Sequence, residues 1–345
     1  MNKWWLILIF FSSTALAIDL PRRLTSGRSD FKSHALGDNC YSMDIFSALP
    51  CNPAFLARDQ KEYWYGHLFF GNNVQYYNDA KEVLDNRADT ATFQRLFSQT
   101  RSAELEADID VGKRNNHFAF SLSPTRINYY SLIRDRVLPY ISLYAAQEQI
   151  LRLQYAWELP NDFYFGVQAR GLSRKFILSE FFLTEAVAEG GGDRVLNNRY
   201  QNIFYLEPGL LWSAPQTALQ PQIAFSITQA GLADKKYDDL SSEIEAEMGA
   251  SIKPELATGI LEVGTHVSLH SQTKRWTDLL SAAATYTIGS SQYVGSISEN
   301  QADLGLFLQV SKFQTGVVYD YRIFENLLGE RDQIHTWYFQ LGAEI

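Results

Sequence analysis

Ile334-His-Thr-Trp-Tyr-Phe-Gln-Leu-Gly-Ala-Glu-Ile345 is the stretch that decides the fold class. Trp337, Phe339, Leu341, Ala343 and Ile345 fall on one face, and Tyr338, Gln340, Gly342 and Glu344 on the other. The period is two, with one face wholly apolar and the other mixed. A soluble sheet rarely keeps such a strand flush with the carboxyl end of its chain. A bacterial outer-membrane barrel does, because its last strand must pair with its first to close the wall.

The same alternation recurs upstream. Leu151, Leu153, Tyr155 and Trp157 oppose Arg152, Gln154, Ala156 and Glu158. Across the turn Leu159-Pro-Asn-Asp162, Phe163, Phe165, Val167 and Ala169 oppose Tyr164, Gly166, Gln168 and Arg170, so the pair reads as a hairpin. Ile244 to Ile252 sets Ala246, Met248 and Ala250 against Glu245, Glu247, Gly249 and Ser251; Leu261 to Leu269 sets Val263 and Val267 against Glu262, Gly264, His266 and Ser268. Near the end, Thr315, Val317, Tyr319 and Tyr321 oppose Gln314, Gly316, Asp320 and Arg322. Such segments are about ten residues long, enough to cross a bilayer on a tilt. The apolar row would face lipid and the charged row the interior, the reverse of a soluble sandwich. Counting back from the carboxyl end gives fifteen candidate strands, the least certain being 103–112 and 136–145. A single-chain bacterial barrel prefers an even number, so the expectation is an all-β, transmembrane, antiparallel barrel of about fourteen strands. Longer loops are expected near 173–199, with Gly190-Gly-Gly192, and at 231–243, 269–277 and 323–333. Residues 78–98 do not alternate. Asn78 as a cap and Val83, Leu84, Arg87 and Ala91 as a patchy face predict one short surface helix.

Residues 1–17 read as a cleavable secretory leader: Lys3, the apolar run Trp4–Phe11, then Ala15-Leu-Ala17. No later apolar run approaches the roughly 20 residues of a spanning helix. Of 345 residues, 39 are acidic and 30 are Lys or Arg, a balance that argues against a nucleic-acid partner. Only two cysteines occur, Cys40 and Cys51, and in an oxidising compartment such a pair forms a disulfide. In the chain-entropy view it is worth about 3 kcal/mol. The chain thus divides into a leader (1–17), an amino-terminal segment (18–60) and a barrel (61–345) in the cell outer membrane.

The amino-terminal segment holds both cysteines and reads as neither wall strand nor long helix. Its Asn52-Pro53-Ala54, followed by Leu56-Ala57, resembles the start of the FadL-type fatty-acid-transporter superfamily, which includes relatives of the PorV and TraF type. In those families an Asn-Pro-Ala-Gly-Leu-like stretch precedes the first wall strand, and the segment sits inside the barrel as a plug or hatch. Phe55 stands where a Gly is common. The resemblance implies a plugged barrel. Elementary geometry asks for the same, since fourteen strands enclose more space than wall side chains fill.

Function classes follow from the inward row: Arg152, Glu158, Arg170, Glu245, Glu247, Glu262, His266, Asp320, Arg322 and Glu344. It reads as a hydrated, charge-paired interior, with Arg170 or Arg322 expected to neutralise Glu245 and Glu247. His266 and His270 on one strand face are about 13 Å apart, too far to share a metal. No Gly-x-Ser-x-Gly, His-Glu-x-x-His or phosphate-loop pattern is present. No enzyme, cofactor or metal is expected. The expected function is a plugged channel for passive uptake of small solutes, hydrophobic ones included, in contact with outer-membrane lipid. The alternative is a non-transporting accessory or scaffold barrel whose partner is a secretion or surface-assembly system.

Overall fold

Antiparallel pairing of the first and last strands closes the sheet: β1 (Tyr63–Gly71) lies against β16 (Arg331–Glu344) in a register running from Tyr65 opposite Glu344 to Gly71 opposite Tyr338. The computed structural model describes residues 31–45, 49–71, 76–85, 102–133, 140–187, 195–237, 240, 244–270, 279–325 and 331–345. Residues 1–17, expected to be a leader, and the triglycine at 190–192 lie outside the described residues.

From β1 the sheet runs through β2 (Ser102–Arg114), β3 (Phe118–Ile133), β4 (Tyr140–Leu159), β5 (Phe163–Phe182) and β6 (Arg199–Ser213) to β7 (Gln222–Thr228). It continues through β9 (Glu245–Ile252), β11 (Gly259–Leu269), β12 (Leu280–Ile288), β13 (Ser291–Ser298), β14 (Gln301–Val310) and β15 (Phe313–Glu325) to β16. Two short pieces complete it: β8 (Gly231–Ala233) pairs with β6 beyond the end of β7, and β10 (Glu255–Leu256) pairs with the start of β11. The wall therefore has fourteen strands. The odd fifteenth candidate is explained: 136–145 is not a strand of its own, since its described part continues into 147–158 as the single strand β4. The loop expected from 173 starts later, because β5 keeps pairing with β4 up to Phe182 opposite Tyr140.

Alternation in sequence becomes alternation in exposure. On β4, Leu151, Leu153, Tyr155, Trp157 and Leu159 are each more than 40% exposed, whereas Arg152 is 8% and Gln154 1% exposed. Nine residues at strand rise and barrel tilt span roughly 25 Å, the height of an outer-membrane apolar band. No helix among the described residues is long and apolar enough to cross a membrane. Above the band the outward face turns polar at Gln149, Gln147, Ser173 and Lys175.

Beyond it β2–β5 carry a second hydrophobic core on their outer face. The helix Tyr77–Leu84 lays Ala80, Val83 and Leu84 over Leu105, Tyr129, Leu143 and Ile177. Asn78 does not cap that helix; it lies inside it, and the preceding Tyr76 makes no side-chain cap. On the inner face of the same strands, Tyr237 and Leu240 pack with Tyr144, Phe176 and Ile334. The projection is thus covered on both sides.

Candidate functional site

Inside the wall run residues 31–45 and 49–59. The first stretch holds the helix Phe31–Leu36 and the 3-10 turn Gly37–Tyr41; the second ends in the helix Phe55–Asp59. Cys40 and Cys51 are joined as a disulfide with Cα atoms 5.6 Å apart, which closes the connecting loop. Phe31, Leu36 and Met43 pack against the inward residues Phe69, Val294, Phe307, Val318 and Tyr338. Phe55 and Leu56 pack against Tyr65, Ala156, Tyr164 and Leu211 on the opposite arc. The segment therefore bridges the lumen.

Polar contacts hold it to the wall on every side. Asn39 Nδ2 donates to Ser281 Oγ at 2.9 Å, Gln154 Nε2 to Pro50 O at 2.9 Å, and Ser251 Oγ to Ser42 O at 3.4 Å. Arg114 reaches Asp59 at 3.3 Å. His34 stacks on Tyr338 with ring centres 3.8 Å apart and places Nε2 3.1 Å from Glu106. Lys32 pairs with Asp44 at 2.5 Å. Burial alone would push the Asp44 carboxyl up, but Lys32 and then Arg114 outweigh it and hold the group well below the usual carboxylate range. A depressed carboxylate stabilises the folded form fully above its unfolded value of about 4 and loses that contribution as pH falls toward the folded one. The protection of residues 31–59 against hydrogen exchange, with the intrinsic pH dependence of the exchange rate divided out, is therefore expected to stay flat from pH 8 to 5 and to fall below about pH 4. Asp44→Asn is expected to exchange fast already at neutral pH; a flat profile through pH 3 in the parent protein would contradict the assignment.

Asn52-Pro53-Ala54 forms a knuckle at the wall. Asn52 Oδ1 accepts from the Ala54 N–H at 3.0 Å, fixing the turn, and Asn52 Nδ2 donates to Leu210 O and to Tyr41 O, each at 3.3 Å. It rests on Gly166 and Gly209, which face each other across β5 and β6. A Cβ on Gly166 would come within 2.5 Å of the Pro53 carbonyl carbon, and one on Gly209 would collide with the Asn52 side chain.

The sequence-nominated polar row lies on the inner face. Arg152, Arg170, Glu245, Glu247, Glu262, His266 and Asp320 are all buried, and Arg322 nearly so. Arg170 holds Glu207, at 2.7 Å from Nη2, and Arg322 holds Glu104 at 3.1 Å and Asp320 at 3.0 Å. Glu247 meets His266 at 2.9 Å. Glu262 accepts from Ser251 at 3.1 Å and from Gln222. Glu158 sits exposed at the short-turn rim.

Sequence reading passed over Lys32, Asp44, Glu104, Glu106, Arg114, Arg126, Glu148 and Glu207. Arg126, fully buried, lies 3.6 Å from Glu106 and 3.8 Å from Glu148. Four acids spaced by two, Glu104, Glu106, Asp108 and Asp110, were the available signal for β2. Among the described residues no group of three or more His, Cys, Asp or Glu could hold a metal ion.

A cavity of about 200 Å³ remains between the segment and the wall. Leu36, Tyr41, Pro50 and both cysteines line it from the segment, and Arg152, Arg170, Ser281, Ser296 and Asp303 from the wall.

This architecture is that of known outer-membrane barrels. The TodX deltaS2S3 mutant monoaromatic hydrocarbon channel matches over 91% of this chain and 97% of its own, with a TM-score of 0.51 at 7% identity. The P. putida toluene transporter TodX covers 85% of this chain and 91% of its own, with a TM-score of 0.41 at 7% identity. CdiB from Acinetobacter baumannii aligns with 82% of this chain, at a TM-score of 0.33 and 9% identity, and this chain spans only 60% of CdiB. No family model matches the chain and no curated protein matches it in sequence. At 7% identity the likeness to TodX is one of fold alone.

Proposed function

We propose that this chain is a plugged outer-membrane channel for passive uptake of small solutes with an apolar body. The observation that carries the reading is the segment 31–59. It bridges a closed fourteen-strand wall, packs apolar side chains against two arcs of it, is tied to it elsewhere by single hydrogen bonds and ion pairs, and leaves a cavity at its side. Such contacts are each worth about 1 kcal/mol net, because water replaces them when they part. A segment held this way can shift without leaving the lumen dry and unsatisfied. The fold-level likeness to a monoaromatic hydrocarbon channel agrees with a conduit rather than an enzyme. FadL-type kinship rests on the Asn52-Pro53-Ala54 resemblance and on that fold.

The test is liposome swelling and single-channel conductance of the full chain beside a form lacking residues 18–60. The full chain is expected to pass small solutes slowly and to conduct little; the deletion is expected to conduct steadily and far more. No flux and no conductance in either form would sink the channel reading.

A second reading, a non-transporting accessory barrel, draws on the projection of β3–β5 beyond the apolar band. It takes over if both forms are silent.

A further inference from the structure

Two halves of the wall differ in fixed charge. On β2–β6 and β15, inward arginines and acids brace one another: Arg126 with Glu106 and Glu148, Arg170 with Glu207, Arg322 with Glu104 and Asp320. From β7 to β14, no strand contains a lysine or an arginine. Four carboxylates point inward there, Glu245, Glu247, Glu262 and Asp303, each at most 3% exposed. Glu247 meets His266 and Thr228, Glu262 accepts from Ser251 and Gln222, and Asp303 from Ser296 and Gln301. Hydrogen bonds from neutral groups steady a carboxylate without cancelling its charge. Lys253, in the turn after β9, and the segment's Arg58 act on Glu262, but Arg58 is itself paired with Asp59. His266 and Lys253 thus offset at most two of the four charges, and this half stays negative.

Distance keeps the two halves apart. Fourteen strands about 4.8 Å apart and tilted about 40° make a wall roughly 28 Å across. In a hydrated lumen at physiological salt the field of a charge decays over about 8 Å. A solute moving along β7–β14 therefore meets the carboxylates and not the arginines opposite. That half is also the easier one to open. Its inward side chains are short, and Ser42 and Met43 of the segment rest there on Gly249 and Gly264. Ser226 and Ser268 stand directly opposite Glu247 on its two neighbouring strands. Both are buried, and neither hydroxyl has a hydrogen-bond partner. Hydroxyl oxygens on both sides of a carboxylate can replace part of the water shell of an entering cation. We propose that the conduit selects cations, and that its solutes are small organic ammonium ions with an apolar body, led along β7–β14 by Glu245, Glu247, Glu262 and Asp303. This names the charge class of the solutes of the channel proposed above and rests on that reading.

Planar bilayers holding the full-length protein under a KCl gradient test it, because the zero-current potential reads the charge preference. Potassium is expected to be on the order of fivefold more permeant than chloride. Exchanging potassium for phenethylammonium is expected to keep the sign of the potential. Glu245→Gln combined with Glu247→Gln is expected to lower the ratio to about twofold, and adding Asp303→Asn to bring it near parity. Asp234→Asn, exposed outside the wall, is the control and is expected to match the parent. Each variant is checked for heat-modifiable gel mobility, and the measurements on the parent stand whether or not a variant folds. Openings that favour chloride, or favour neither ion, overturn the cation assignment and leave the channel standing. Folded glutamine variants as selective as the parent overturn the part given to β7–β14. No openings under any condition sink the channel, and the cation assignment with it.

Discussion

Gly209→Val is expected to turn a quiet barrel into a conducting one. The reason lies in how closely the segment's knuckle approaches the wall. A Cβ at position 209 would occupy the place of the Asn52 side-chain oxygen and press on Pro53 as well. That oxygen accepts the Ala54 N–H, and the Asn52 amide donates to Leu210 O. One added side chain therefore removes the turn's internal bond and its anchor together. Valine suits a strand, so the wall itself tolerates the change. Overpacking of this kind costs about 1–3 kcal/mol, comparable with the few bonds that seat the knuckle. The segment has the cheaper way to relieve the clash, which is to lift. Gly166→Val acts from the neighbouring strand, because its Cβ would meet the Pro53 backbone. Gly171→Val is the control, since a Cβ there meets nothing within 4 Å. In planar bilayers the first two are expected to raise open-channel conductance severalfold, with unchanged heat-modifiable mobility, and the third to match the parent. If Gly209→Val conducts no more than Gly171→Val, the knuckle is not the seat of closure.

Those glycines show what could and could not be read from the chain. Gly166 and Gly209 lie in strands whose alternation is plain, so that they face inward was legible. That they face each other, and face Asn52-Pro53, depends on the register of β5 against β6 and on the path of a segment more than 100 residues upstream. Period two names the face of a residue and says nothing of its partner across the lumen. The same limit explains the charges. Arg170 and Arg322 were legible as inward residues, whereas Glu207 and Glu104, which hold them, required the register. The outer face of β4 near Ile141, Leu143 and Ala145 looks like lipid-facing sequence. A helix from another part of the chain covers it instead. Only the polar break at Gln147 and Gln149 marks the end of the apolar band, and such a break is easily taken for a strand end.

The second large effect is expected at Glu207, where the wall has a fault in its backbone pairing. Pro208, in the middle of β6, has no N–H to give. Just past it β7 ends at Thr228, Gln229 turns to a φ of 57°, and pairing resumes with the Leu206 N–H on Ala230 O at 2.8 Å and then β8 against Ile203–Tyr205. Within a bilayer no water reaches such a seam, and each unpaired backbone group costs several kcal/mol. Glu207 mends it from the lumen side. It accepts the Gln229 backbone N–H at 3.1 Å, the Gln168 amide at 2.5 Å, and Arg170 at 2.7 and 3.2 Å. Glu207→Ala takes two charge-assisted hydrogen bonds from the buried Arg170 guanidinium and the acceptor from the Gln229 N–H at once. A loss on the order of 3–5 kcal/mol is expected, read as a lowered temperature of heat-modifiable conversion and a lowered urea midpoint in lipid. Glu207→Gln keeps an acceptor for Gln229 and is expected to fall between the two. The double variant Arg170→Met, Glu207→Leu removes the stranded charge, and replacing a buried ion pair by apolar side chains is often nearly neutral. Here it is expected to recover the arginine's share only, because the Gln229 N–H still has nothing to donate to. Full recovery in the double variant would mean that the ion pair, and not the backbone seam, is what Glu207 is there to satisfy.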